Sequence, residues 1–151
     1  ITPFEAYKTK DGYIIISAGN DGLFAKLAEA LENPGWAEDP DYSSNDNRNK
    51  HVEKLKIEME SVLTAHTTSH WIEVLDKFGV PSGPINDIGQ AATHPQTIAR
   101  NMIVSVDDPI TGPMKVAGNP IKISGFEDPE TRDPAPNLDQ NREEILRELS
   151  D

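Results

Sequence analysis

The sequence contains no cysteine. Disulfides, thiolate metal sites and a cysteine nucleophile are therefore excluded, and the composition fits a cytoplasmic protein. No apolar run approaches the roughly 20 residues needed to cross a bilayer. The opening Ile1-Thr2-Pro3-Phe4 lacks the charged start and apolar stretch of a secretion signal. Cations are scarce, with 14 Lys and Arg against 26 Asp and Glu and a formal net charge of -12. Such a chain repels phosphate backbones and anionic lipid, so neither nucleic acid nor membrane is expected as a partner. Hydrophobic residues make up only 36% of the 151 residues. This is below the usual share for a globular domain, so part of the chain should lie outside a packed core. There is no initiator Met. The chain opens directly into strand-like sequence, as a piece excised from a longer protein would.

The pattern present is mixed. Phe4 to Lys8 alternates apolar and polar residues, Lys10-Asp11-Gly12 signals a turn, and Tyr13 to Ala18 is β-branched and aromatic. Together they predict a hairpin whose second strand is buried on both sides. Gly19-Asn20-Asp21 breaks that strand and can cap a helix carrying Leu23, Phe24, Leu27 and Leu31 on one face, which Asn33-Pro34-Gly35 stops. After a polar loop, residues 47 to 65 predict one helix with Val52, Leu55, Met59, Val62 and Leu63 on its apolar stripe. Lys54, Lys56, Glu58 and Glu60 form its solvated face. Thr67 or Thr68 caps a third helix with Trp71, Leu75 and Phe78 apolar. Gly79 is its left-handed terminator, and Pro81 blocks extension.

Asn86 or Asp87 starts a short helix to Ala92, and Pro95 starts another that ends near Asn101. Met102–Val106 and Met114–Val116 flank the turn Pro109-Ile110-Thr111-Gly112, and residues 120 to 124 can continue as an edge. The fold class is α+β: a small antiparallel sheet packed with several helices. From Glu127 to Asn137, Pro129, Pro134 and Pro136 stand among acidic residues, which reads as an extended linker. A C-terminal amphipathic helix, Arg142 to Leu149, follows. It is too short to be stable without a surface to dock on.

Several constellations imitate chemistry. His66 and His70 have helical metal-ligand spacing, but the glutamate that follows the first His of a zincin is absent. A helix boundary also falls between them, so they read as a solvated turn. Asp39, Asp41, Ser43 and Asn45 imitate calcium-loop spacing. Ser44 stands where glycine is needed and Lys50 where a bidentate glutamate is needed, so they read as a polar loop. Gly19, Gly22 and Gly83 lack the spacing of a nucleotide-binding fingerprint. Residues Asn20 and Asp21 are the candidates for a functional site. They lie where a buried strand meets a helix start, a position with free N–H donors that often borders a ligand. Plain helix capping is the alternative role.

Several segments, taken in order, carry a resemblance. Gly79-Val80-Pro81-Ser82-Gly83-Pro84-Ile85 resembles the G-V-P-x-G-P-[IV] segment of family III CoA-transferases, the group that includes formyl-CoA and carnitine CoA-transferases. Trp71 precedes it at that family's offset. Pro95-Gln96 with Ala99-Arg100-Asn101-Met102 is similar to its P-Q-x-x-A-R-x-M. The run from Gly118 to Ser124 is similar to its G-x-P-I-[KR]-[LI]-S, and Asp11-Gly12-Tyr13 to its D-G-Y opening. Asp139 departs from the pattern, standing where the family has the Gly of a Gly-x-[HN] step.

The resemblance implies that residues 1–125 are the small domain of such an enzyme. Residues 126–151 would be a Pro-rich acidic linker and helix that returns to a large domain. It further implies an interlocked homodimer, with acyl-CoA and carboxylic acids as substrates of the parent protein and coenzyme A thioester as the carrier. An aspartyl thioester would form on the large domain, so no catalytic, cofactor-binding or metal-binding residue is assigned here. The isolated chain is expected to be inactive. In the family's acyl-CoA racemase branch a small-domain glutamate acts as acid/base, and Asp21 is its nearest counterpart. A non-catalytic acidic module that binds a protein partner is the alternative of a different class.

Overall fold

The computed structural model describes residues 1–150. The fold class is α+β, and the strands form two three-stranded sheets rather than one. The chain forms two compact units, Ile1–Ile85 and residues 86–150. This division falls within the stretch expected to be a single small domain.

In the first unit, β1 (Phe4–Lys8) and β2 (Tyr13–Ser17) form the expected antiparallel hairpin, with Phe4 opposite Ser17 and Lys8 opposite Tyr13. Strand β3 (Ser82–Pro84) pairs with the other edge of β2. The segment after the Gly79 terminator, where Pro81 blocks helix extension, thus supplies a strand. Burial of β2 on both faces is not observed. Ile14 and Ile16 are buried, while Tyr13 and Ile15 are 52% and 43% exposed. Helices cover only one face of this sheet, so the strand alternates with period two.

Helix α1 (Asp21–Ala30) follows β2, with Asn20 as its N-cap: the side-chain oxygen accepts from Leu23 N at 2.8 Å. A short 3₁₀ turn, Pro34–Ala37, comes next. The single helix expected over 47 to 65 is two. Helix α2 (Asn45–Lys50) starts earlier, capped by Ser44, and α3 (Val52–Leu63) follows a break at His51. The His51 backbone leaves helical geometry at φ -115°, ψ 25°, and its ring Nδ1 lies 3.0 Å from the Asn47 carbonyl.

Helix α4 (Thr68–Phe78) is capped by Thr67 and ends at Gly79, whose φ of 67° is the expected left-handed terminator. Its buried residues are Trp71 and Leu75; Phe78, expected on that stripe, is exposed. Tyr7, Ile14, Ile16, Phe24, Leu27, Leu31, Leu55, Met59, Leu63, Trp71 and Leu75 form one core cluster. Each fully buried large side chain contributes about 1.5–3 kcal/mol of transfer free energy. The Trp71 indole N–H donates to the Leu63 carbonyl at 2.7 Å, which satisfies its polar edge inside the core.

The second unit opens with α5 (Ile88–Thr93), where Asp87 and Gln90 form a reciprocal capping box, and α6 (Pro95–Ala99). Strands β4 (Ile103–Asp108) and β5 (Gly112–Ala117) form the expected hairpin, with Val104 opposite Val116. At its base a Cβ on Gly118 would collide with the Asn101 carbonyl and the Met102 backbone, so this position accepts only glycine. Residues 120–124 do not continue as a strand.

The linker instead contributes β6 (Thr131–Arg132), which pairs in parallel with β4. Pro129 and Pro134 flank this edge segment and limit it to two residues. Helix α7 (Arg142–Glu148) is present, with Ile145, Leu146 and Leu149 exposed beside it. Asp139 has φ 68°. This is a left-handed backbone, which Asp tolerates better than most residues.

Candidate functional site

Strand β2 delivers the chain into the turn Gly19-Asn20-Asp21, and α1 leaves from it. A groove of about 520 Å³ lies against this turn, lined by Ile1, Phe4, Ser17, Gly19, Asn20, Asp21, Leu23 and Asn45. Its walls are thus the apolar side chains of Ile1, Phe4 and Leu23 interrupted by one hydroxyl, two amides and one carboxylate. Both candidates are exposed, and the structure brings them together on its rim. Asn20 carries out the capping role, and Asp21 occupies the first helical turn, where a carboxylate is favoured by the helix dipole.

The turn is held from beneath by Arg48 of α2, the largest fully buried side chain of the protein. Its Nε donates to the Thr2 carbonyl at 2.8 Å and its Nη1 to the Tyr42 carbonyl at 2.8 Å. Its Nη2 donates to the Gly19 carbonyl at 2.9 Å and to Asp21 Oδ1 at 2.8 Å. The guanidinium carbon stands 4.4 Å from the centre of the Phe24 ring. A buried charge is tolerable only with such saturation of its donors.

Sequence reasoning missed this residue. The available signal was spacing: Arg48 continues the Val52, Leu55, Met59 stripe by one further helical step, at a position that should face the core. Thr2 is fixed as well, its N–H donating to Asn45 Oδ1 and its hydroxyl to Asn49 Oδ1.

The imitations of metal sites resolve into other roles. In the calcium-like loop, Asp39 Oδ1 accepts from Asp41 N, Asp41 pairs with Lys54, and Ser44 caps α2. The hydrogen bond from Lys54 holds the Asp41 carboxyl below its ordinary range. His66 and His70 stack with ring centres 4.2 Å apart beside Trp71. Stacked imidazoles do not converge their lone pairs on one ion. Among the described residues no group of three or more His, Asp or Glu is arranged to hold a metal, and no helix is long and apolar enough to cross a membrane.

Comparison with known proteins decides the family, because the model of CoA-transferase family III matches residues 1–142. The chain belongs to that family. The acetyl-CoA:oxalate CoA-transferase of Acetobacter aceti is 37% identical over 150 residues, covering 99% of this chain and 37% of the relative. The human succinyl-CoA:glutarate CoA-transferase is 32% identical over 149 residues, covering 99% of this chain and 34% of the relative. The solved structure of a CaiB/BaiF family protein from Brucella suis matches with a TM-score of 0.76 and 31% identity, covering 99% of this chain and 38% of that one. The family III chain described here therefore spans little more than a third of the relatives it matches.

Proposed function

We propose that this chain is the small-domain part of a family III CoA-transferase that moves coenzyme A between carboxylic acids. The observation that carries the reading is the family match across residues 1–142, joined by relatives that are themselves named CoA-transferases. On this reading the covalent step belongs to the rest of the parent protein. An aspartate there attacks the acyl-CoA carbonyl and expels the CoA thiolate, forming a mixed anhydride. The thiolate then attacks the aspartyl carbonyl, releasing the donor acid as its carboxylate and leaving an aspartyl-CoA thioester. Residues 1–125 complete the cleft and close over the acyl group, with Asn20 and Asp21 facing it.

Residues 126–151 return to the large domain, and two parent chains interlock as a cytoplasmic homodimer. The exposed Ile145, Leu146 and Leu149 of the last helix support a docked C-terminal segment, since such residues gain from burial. The apolar lining of the groove at the turn supports a role beside an acyl chain.

The test is the parent protein, purified and given an acyl-CoA donor with a set of free carboxylic acids. Formation of new acyl-CoA supports the reading. An enzyme that moves no CoA but scrambles the α-carbon of a chiral acyl-CoA belongs to the racemase branch. The exposed carboxylate of Asp21 in the groove is the observation that favours that second reading.

A further inference from the structure

We infer that Arg48 is a positioning residue, fixing the Gly19-Asn20-Asp21 turn and the Asp21 carboxyl group in register with the groove. The inference rests on the reading above, that this turn borders the reaction cleft. Its structural basis is the contrast within one ion pair. The Arg48 side chain is 0% exposed and the Asp21 side chain 63% exposed, yet their atoms meet at 2.8 Å.

An ordinary surface pair joins two mobile side chains and contributes little. Here one member is anchored in the core by three backbone carbonyls from separate stretches of chain, at Thr2, Gly19 and Tyr42. A single nitrogen, Nη2, serves both the Gly19 carbonyl and Asp21 Oδ1. Main chain and carboxylate of the turn are therefore tied to the same atom. Movement of the carboxylate relative to the end of β2 then requires breaking a part-buried charge-assisted hydrogen bond.

Stability alone does not call for this arrangement. Apolar side chains of similar volume often stabilise a core as well as a buried charge or better. What a guanidinium adds is direction: five donors in a rigid plane, which orient the groups that accept from them. Groups held before the substrate arrives lower the entropic part of a barrier, and small misplacements are expensive.

The experiment uses the full-length parent enzyme with Arg48→Lys, Asp21→Asn, Asp21→Ala and the double variant Arg48→Lys/Asp21→Asn. Rates are measured well below each variant's melting temperature. Arg48→Lys keeps the charge but loses the planar fork. Its kcat should fall about tenfold or more while KM for acyl-CoA stays within about twofold. Asp21 is exposed, but among the described residues its carboxylate is the only ionic partner of the buried guanidinium. The melting temperature of each Asp21 variant is therefore measured first, and Asp21→Ala should lower kcat at temperatures where it is fully folded. The double variant should lose no more than its worse single member, because both changes act on one geometry.

A folded Arg48→Lys enzyme with parental kcat would overturn the inference, as would additive losses in the double variant or an unaffected Asp21→Ala. Should Arg48→Lys not fold, the two Asp21 variants decide by the same criteria. A parent enzyme that transfers no CoA and racemises nothing would instead overturn the functional reading itself.

Discussion

Gly79 is held at φ 67°, where a Cβ crowds the backbone. Gly79→Ala should lower stability by about 1 kcal/mol or more, measured as a shift in the denaturant midpoint. Asp11 acts through hydrogen bonds instead. Its Oδ1 accepts from Thr68 N at 2.8 Å and from the Thr68 hydroxyl at 3.1 Å, tying the hairpin turn to the start of α4. These bonds, the backbone one foremost, lower its pKa. A carboxyl with a folded pKa below the unfolded value contributes its stability above the unfolded pKa. That contribution disappears as pH falls through the folded pKa. Asp11→Asn should therefore melt lower than the parent at neutral pH, and the difference should close on acidification below the ordinary carboxylate range.

Among the elements, those with local punctuation were legible in the sequence. The sequence marks helix starts at Asn20 or Asp21, at Thr67 or Thr68, at Asn86 or Asp87 and at Pro95, and a helix end at Gly79. Of the alternatives the structure uses Asn20, Thr67 and Asp87 as N-caps. Elements decided by partners were not legible. The Ser82–Pro84 strand exists because β2 has an open edge, and Thr131–Arg132 because β4 has one; neither segment has strand character alone. The His51 break was hidden because it falls in an all-polar run, Asn45 to His51, that carries no proline or glycine to mark a helix end.

At the site, the turn was legible from Gly19-Asn20-Asp21. For Arg48 the spacing to Val52 marked a core-facing position, but its partners, the Thr2, Tyr42 and Gly19 carbonyls and Asp21, come from distant stretches of chain that spacing does not bring together. The same contrast predicts uneven stability. The first unit holds the whole core cluster, whereas the second buries only Val104 and Val106 among its apolar side chains. Amide hydrogen exchange should find slow exchange in β2, α3 and α4 and much faster exchange throughout residues 86–150. Equal protection in both would contradict this picture of the core. Gly118→Ala should loosen the β4–β5 hairpin further, seen as accelerated exchange at Val104 and Val106, because backbone must move to admit the methyl group.

For the whole molecule, the proposed function divides the labour: enclosure falls to this chain and covalent attack to the remainder of its parent. The chain covers little more than a third of its relatives' length, and Asp21, the carboxylate in the groove at the turn, is committed through Oδ1 to a buried guanidinium. The direct test is to incubate the parent enzyme with an acyl-CoA donor and no acceptor, then trap the acylated or thioester-bearing carboxylate with hydroxylamine. Peptide mass spectrometry locates the resulting hydroxamate. The account predicts the label on an aspartate outside the 151 residues, with all 26 of their acidic side chains unmodified. A hydroxamate on Asp21, or on any other Asp or Glu of this chain, would contradict it.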